Sequence, residues 1–148
     1  MNRTELENYI SETFGTTGEQ FFAKYPSFRV FRHLGSRKWF AVIMDIPRKN
    51  LGLSDDGMIS VVNLKCDPIL IGSFREEPGI FPAWHMNKAH WLSVALDGTA
   101  SEDSLMFLLD MSYELTKNEQ MVAELPASSF QIYITLFTFR MSGNFTWH

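Results

Sequence analysis

The sequence predicts an α+β domain, an antiparallel β-sheet covered on one face by helices, in the order α-β-β-β-α-β-β-α. Three observations carry this. Apolar residues recur at helical spacing near the start, the middle and the end of the first 120 or so residues. Between those stretches lie runs rich in β-branched and aromatic residues, joined by turns short enough for hairpins, which favours antiparallel pairing. The chain has 148 residues, 45% hydrophobic and 20% charged, enough for one domain with its own core.

Residues 4–14 read as the first helix. Thr4 is a suitable N-cap, Glu5 and Glu7 suit the first turn, Leu6, Tyr9, Ile10 and Phe14 share a side, and Gly15 ends the run. Residues 16–26 carry no clear period and read as loop. Residues 28–34 and 39–46 form a predicted hairpin around Gly35-Ser36-Arg37-Lys38, and Pro47 stops the second strand. Alternation puts Phe40, Val42, Met44 and Ile46 on one face of that strand and Trp39, Ala41, Ile43 and Asp45 on the other. Asp45 marks its face as the exposed one. After a polar loop, residues 58–65 make the third strand. Asp67 as N-cap and Pro68 at the first helical position open the second helix, continued by Ile69, Leu70, Ile71 and Phe74. Residues 80–84 and 90–97 are two further strands around a turn at 85–89. Ser101, Glu102 and Asp103 start a third helix over 101–119, with Leu105, Leu108, Leu109, Ser112, Tyr113 and Leu115 on its core face. The domain is expected to span residues 1–126. In residues 127–148 Phe130, Ile132, Ile134 and Leu136 alternate with Gln131, Tyr133 and Thr135, as in a strand. Such a segment left free in water invites aggregation, so it is expected to pack on the domain or to pair with a second copy as a homodimer.

The formal net charge is −4, which argues against a general polyanion binder, yet the charge is segregated. Residues 24–49 hold seven bases (Lys24, Arg29, Arg32, Arg37, Lys38, Arg48 and Lys49) and one acid, Asp45, for +6. Residues 97–124 hold seven acids and one base, for −6. One cysteine, Cys66, excludes an internal disulfide and a cysteine-based zinc cluster. With no signal-like start and no long apolar run, the expectation is a cytoplasmic protein with no membrane segment.

The most distinctive stretch is Phe81-Pro82-Ala83-Trp84-His85-Met86-Asn87-Lys88-Ala89-His90-Trp91, preceded by Lys65-Cys66-Asp67-Pro68 and followed by Leu96-Asp97-Gly98. In order and spacing these residues resemble the MmcQ/YjbR family, whose motif matches here at Pro82, Trp84, His85, Met86, Asn87, Lys88, His90 and Trp91. The resemblance covers about residues 4–126. It implies a fold similar to bacterial frataxin (CyaY-like), also compared with a double-wing domain, and it implies DNA binding, the label the family commonly carries. Two features depart from the family pattern. Trp84 stands where a tyrosine is usual, and the chain continues past Leu125-Pro126.

Of the chemistry these residues permit, catalysis has least support. His85 and His90 lack a carboxylate cluster to complete a metal site. Glu5, Glu7 and Glu12 are spread around their helix, so iron binding is not expected. Cys66 precedes a helix, but Lys65 and Asp67 offset each other beside it. No phosphate-binding glycine loop and no nucleophile elbow is present. The expectation is therefore a protein that is not an enzyme and needs no cofactor. Its leading function is binding double-stranded DNA through Arg29, Arg32, Arg37, Lys38, Arg48, Lys49, Asn87 and Lys88, with cations on hairpin tips reaching phosphates. The alternative is a small-ligand or protein-interaction module using an aromatic sheet face around Trp39, Trp84 and Trp91.

Overall fold

Helix α1 (Arg3–Phe14) starts earlier than its sequence predicts, because Asn2 rather than Thr4 caps it. The Asn2 side chain accepts the Glu5 N–H at 2.9 Å and the Glu5 carboxylate accepts the Asn2 N–H at 3.2 Å, a reciprocal capping box. The computed structural model describes residues 1–117. The expected domain end at 126 and the strand-like segment 127–148, with its dimer role, lie outside the described residues.

Five strands form one antiparallel sheet: β1 (Arg29–Arg32), β2 (Trp39–Pro47), β3 (Met58–Lys65), β4 (Ile80–Pro82) and β5 (Trp91–Ala95), in the order β1-β2-β3-β5-β4. A 3-10 turn, Arg48–Leu51, follows β2. Helix α2 (Pro68–Arg75) lies between β3 and β4, and α3 (Glu102–Lys117) follows β5. Asp67 caps α2 by accepting the Ile69 N–H at 2.9 Å, as its position before Pro68 predicts. The fold class expected from sequence is the one observed. Strand β4 stops at Pro82, two residues short of its expected end, so Trp84 sits in a loop.

The helices cover the face carrying Phe31, Ala41, Ile43, Leu64, Leu92 and Val94, all buried. Helix α1 contributes Leu6 and Ile10, fully buried and each worth about 1.5–3 kcal/mol of transfer free energy. Helix α3 is tied to the sheet by Ser112, whose hydroxyl donates to the Phe40 carbonyl and accepts the Lys65 N–H at 2.8 Å.

The facing of β2 differs from its alternation. Phe31 pairs with Ala41 and Arg32 with Trp39, so Phe40 is an extra residue, a bulge. Parity breaks there. Phe40 turns toward the helices, against Phe14 and Tyr113 at ring separations of 5.4 and 5.0 Å, while Trp39 joins Val42 and Met44 on the opposite face. Asp45 does not mark the exposed face either. Its carboxylate meets Arg3 of α1 at 3.0 Å and accepts the Ser60 hydroxyl, so its row is the helix-covered one.

His33 is buried beneath α3, with Phe40 and Tyr113 against its ring. The Thr116 hydroxyl donates to the Ser112 carbonyl at 2.7 Å, so its oxygen accepts the His33 Nε2–H at 2.7 Å and the neutral ring fits. Burial, and secondarily Lys117, lower the pKa of His33, against smaller opposing effects of Glu114 and the Tyr113 backbone. The unfolded chain therefore takes up a proton that the folded chain resists. Stability is unaffected well above the ordinary histidine pKa of about 6.5, falls as pH drops through it, and levels off below the lowered folded value. Denaturant midpoints at about pH 7.5 and 5.5 should fall at the lower pH, and His33→Gln should flatten that difference. An undiminished difference in the variant refutes the assignment.

Candidate functional site

Among the described residues, no α-helix contributes a hydrophobic side chain to the second sheet face. Its buried centre is Val30, Val42, Met44, Ile46, Ile59, Val61 and Ala95. The covering residues come from loops. Residues 16–26, which have no regular period in sequence, are held beside β1 by the Glu19–Val30 bridge and bring Phe22 and Tyr25 over the sheet, together with Phe28, which the sequence assigns to the first strand but which precedes β1. From the other side comes Trp84, in the loop after β4.

Between them lies a hollow of about 260 Å3. Five rings line it: Phe22, Tyr25, Phe28, Trp39 and Trp84. They brace each other, Tyr25 stacked on Phe28 at 4.6 Å, Phe28 edge-on to Trp84 at 6.1 Å and Phe22 edge-on to Trp39 at 5.8 Å. Val42, Met44 and Met86 complete the apolar lining, and Asn63 and His85 are its polar members.

Two buried polar side chains fix this wall. Asn63 on β3 and Ser93 on β5 are direct cross-strand partners. The Trp84 N–H donates to Ser93 Oγ at 3.0 Å, Ser93 Oγ donates to Asn63 Oδ1, and Asn63 Nδ2 donates to the Trp84 carbonyl at 2.9 Å. The ring of hydrogen bonds closes on one residue's backbone, so Trp84 is held at both polar groups. His85 follows in a left-handed conformation, φ 57°, which a side chain adopts only where its surroundings enforce it. Its imidazole stacks on the Trp84 indole at 3.7 Å and 17°. Neither Asn63 nor Ser93 is singled out by the sequence pattern. The available signal is a polar residue in the middle of each of two largely apolar strands.

The motif residues divide into wall and support. Trp84, His85 and Met86 line the hollow, whereas Pro82, Asn87, Lys88, His90 and Trp91 do not. Asn87 organises the turn instead: its side chain accepts the Ala89 N–H at 2.9 Å and its carbonyl accepts the N–H groups of His90 and Trp91. The Lys88 carbonyl accepts a hydrogen bond from Arg75 of α2, and the His90 carbonyl accepts the Cys66 N–H at 2.8 Å. Trp91 is on β5 opposite Lys65 and half-buried. Among the described residues no group of three His, Cys, Asp or Glu side chains is arranged to hold a metal. Burial pushes the Cys66 thiol up to about 12, so it is protonated at neutral pH.

The +6 segment is not one basic patch. Glu19, from the loop before it, meets Arg32 at 3.4 Å and Arg37 at 2.5 Å. Arg32 also lies over the Phe21 ring, 4.9 Å from its centroid. Arg48 pairs with Asp55 at 2.9 Å, which holds that carboxyl below its ordinary range, and reaches Asp97 at 3.9 Å. Arg29 is turned to the carbonyls of Pro26 and Phe28. Lys38 and Lys88 are on exposed positions in separate loops, and Lys49 is exposed on the 3-10 turn.

Comparison with known proteins follows the same core. The family described as YjbR matches residues 12–115, which include every residue of the Trp84 network. The uncharacterised protein YyaQ of Bacillus subtilis is 34% identical over 117 residues, 79% of this chain and 99% of that protein. YjbR of Escherichia coli is 38% identical over 58 residues, and the match spans about half (49%) of its length. A Pseudomonas syringae protein of known crystal structure superimposes with a TM-score of 0.77 at 40% identity, covering 78% of this chain and 99% of that one. A Deinococcus radiodurans protein, DR2400, shares the fold with a TM-score of 0.58 at 22% identity. With the family matched across most of the chain and a full-length relative at this identity, the chain belongs to the YjbR (MmcQ/YjbR) family.

Proposed function

We propose that this protein is a non-catalytic binding module that takes a small molecule into the aromatic hollow between Trp39 and Trp84. The observation that supports this most is the Asn63–Ser93–Trp84 ring. A buried polar network costs desolvation at every member, and here its effect is to hold one side of a concave, aromatic wall in place. Concavity, apolar lining and few polar groups are the usual marks of a small-molecule site. The proposal requires no cofactor and places the protein in the cytoplasm. No helix among the described residues is long and apolar enough to cross a membrane.

The test is tryptophan fluorescence against a panel of neutral, cationic and anionic compounds of one or two rings. A ligand should quench emission saturably, with an affinity that hardly changes between about 50 and 500 mM salt, since no ion pair forms. Val42→Phe fills the hollow and should weaken that affinity by about tenfold or more. No saturable quenching across the panel, or an unaltered affinity in the variant, sinks the proposal.

A second reading, DNA binding through the β1–β2 hairpin, is favoured by one observation: Arg37 and Lys38 stand on an exposed turn. Its difficulty is Glu19, whose carboxylate already engages Arg32 and Arg37. Binding to duplex DNA should then appear only at low salt, and changing Arg37 and Lys38 to Ala should reduce the salt slope by about one per lost phosphate contact. Absence of binding at low salt, or an unchanged slope, removes this reading.

A further inference from the structure

We infer that the hollow selects an uncharged molecule with a one- or two-ring apolar body and an amide-like group that meets Asn63. The inference rests on the ligand-binding reading above and adds the chemistry of the ligand.

Size comes first. A cavity of about 150 Å3 accommodates benzene, and sites for drug-sized molecules begin near 300 Å3, so about 260 Å3 corresponds to one or two rings. Charge comes next. Among the described residues no Asp, Glu, Lys or Arg lines the hollow. A carboxylate or ammonium placed there loses its hydration with no opposite charge to replace it, a cost of several kcal/mol that rings alone do not return for an anion. An ammonium has the ring faces in its favour, but no carboxylate among the described lining residues pairs with it.

That amide is the deciding feature. Asn63 is 1% exposed and borders the hollow. A primary amide offers two N–H donors and two lone pairs on oxygen. One N–H goes to the Trp84 carbonyl and one lone pair takes the Ser93 hydroxyl. The second N–H and the second lone pair have no partner among the described residues. The orientation of the amide is fixed, because the Trp84 carbonyl can only accept and so must face Nδ2. Each polar atom of the amide already has one protein partner, and a ligand with a carbonyl oxygen and an N–H of its own matches the remaining donor and acceptor capacity.

The test is an NMR titration of the full chain with four probes of one ring size: benzamide, toluene, benzoate and benzyltrimethylammonium. Benzamide should move the indole N–H signals of Trp39 and Trp84 and the side-chain NH2 pair of Asn63 together, saturably. Its affinity should exceed that of each other probe by about tenfold, the worth of one charge-free polar match. If toluene binds as well as benzamide and the Asn63 signals stay still, the polar recognition is wrong while the hollow remains a binding site. If benzyltrimethylammonium or benzoate binds more tightly, the charge argument is overturned. If none of the four moves the Trp39 and Trp84 signals, the ligand-binding reading fails as well. No variant is required, so loss of folding does not enter.

Discussion

Replacing Gly79 with Ala is expected to cost about 2–4 kcal/mol, the sum of left-handed backbone strain and overpacking. Gly79 has φ +77°, and a Cβ there would lie 2.5 Å from the Ala100 nitrogen, 2.6 Å from Thr99 Oγ1 and 2.9 Å from the Ala100 Cα. Two of those three atoms are backbone and cannot swing aside. The Gly79 carbonyl also accepts the Ala95 N–H at 2.8 Å, joining the start of β4 to the end of β5. Displacing it therefore loosens the edge of the sheet from which the Trp84 loop departs. Thermal unfolding should show a drop of roughly 10 °C or more. Gly72→Ala is the matched control: it lies on an exposed position of α2 with nothing within 4 Å of its Cβ, and should stabilise by about 0.5–1 kcal/mol. A melting temperature for Gly79→Ala within about 3 °C of the parent contradicts the close approach of residues 99–100.

Asn63→Leu is expected to destabilise by about 2–3 kcal/mol although it keeps the volume and adds apolar surface. The substitution leaves the Trp84 carbonyl and the Ser93 hydroxyl without their partner in a buried place. Ser93→Ala should cost a similar amount by orphaning the Trp84 N–H. Because the three groups form one ring, the double variant should cost less than the sum of the two singles by about 0.5–3 kcal/mol. Additive effects mean that the ring does not act as a unit. Hydrogen exchange at the Trp84 amide gives an independent readout and should accelerate in Ser93→Ala.

These two sites differ in how far the sequence discloses them. Gly79 follows Glu77-Pro78, so a turn there is legible, but nothing local says that residues 99–100 fill the space where a Cβ would go. Asn63 and Ser93 are visible as polar residues inside apolar strands, yet only the pairing of β3 with β5 makes them neighbours. The motif from Pro82 to Trp91 is legible as a unit. Its division into wall (Trp84, His85 and Met86) and turn (Asn87 to His90) is not, because both parts are loop and no period separates them.

The sequence by itself determined the elements whose signals are local. Strand β3 has the bounds its composition predicts, and α2 starts where Asp67-Pro68 requires, since capping and β-branched runs act within a few residues. Tertiary structure decided what depends on partners far along the chain. One bulge residue, Phe40, reversed the faces of Trp39 and Phe40 and put Trp39 in the hollow. Residues 16–26, patternless in sequence, supplied Phe22 and Tyr25, and Phe28, expected in the first strand, came with them. Glu19, lying outside the +6 segment, engaged two of that segment's arginines. Charge and parity are sums along a chain, but electrostatics and packing depend on distance in space, and only the fold sets that distance.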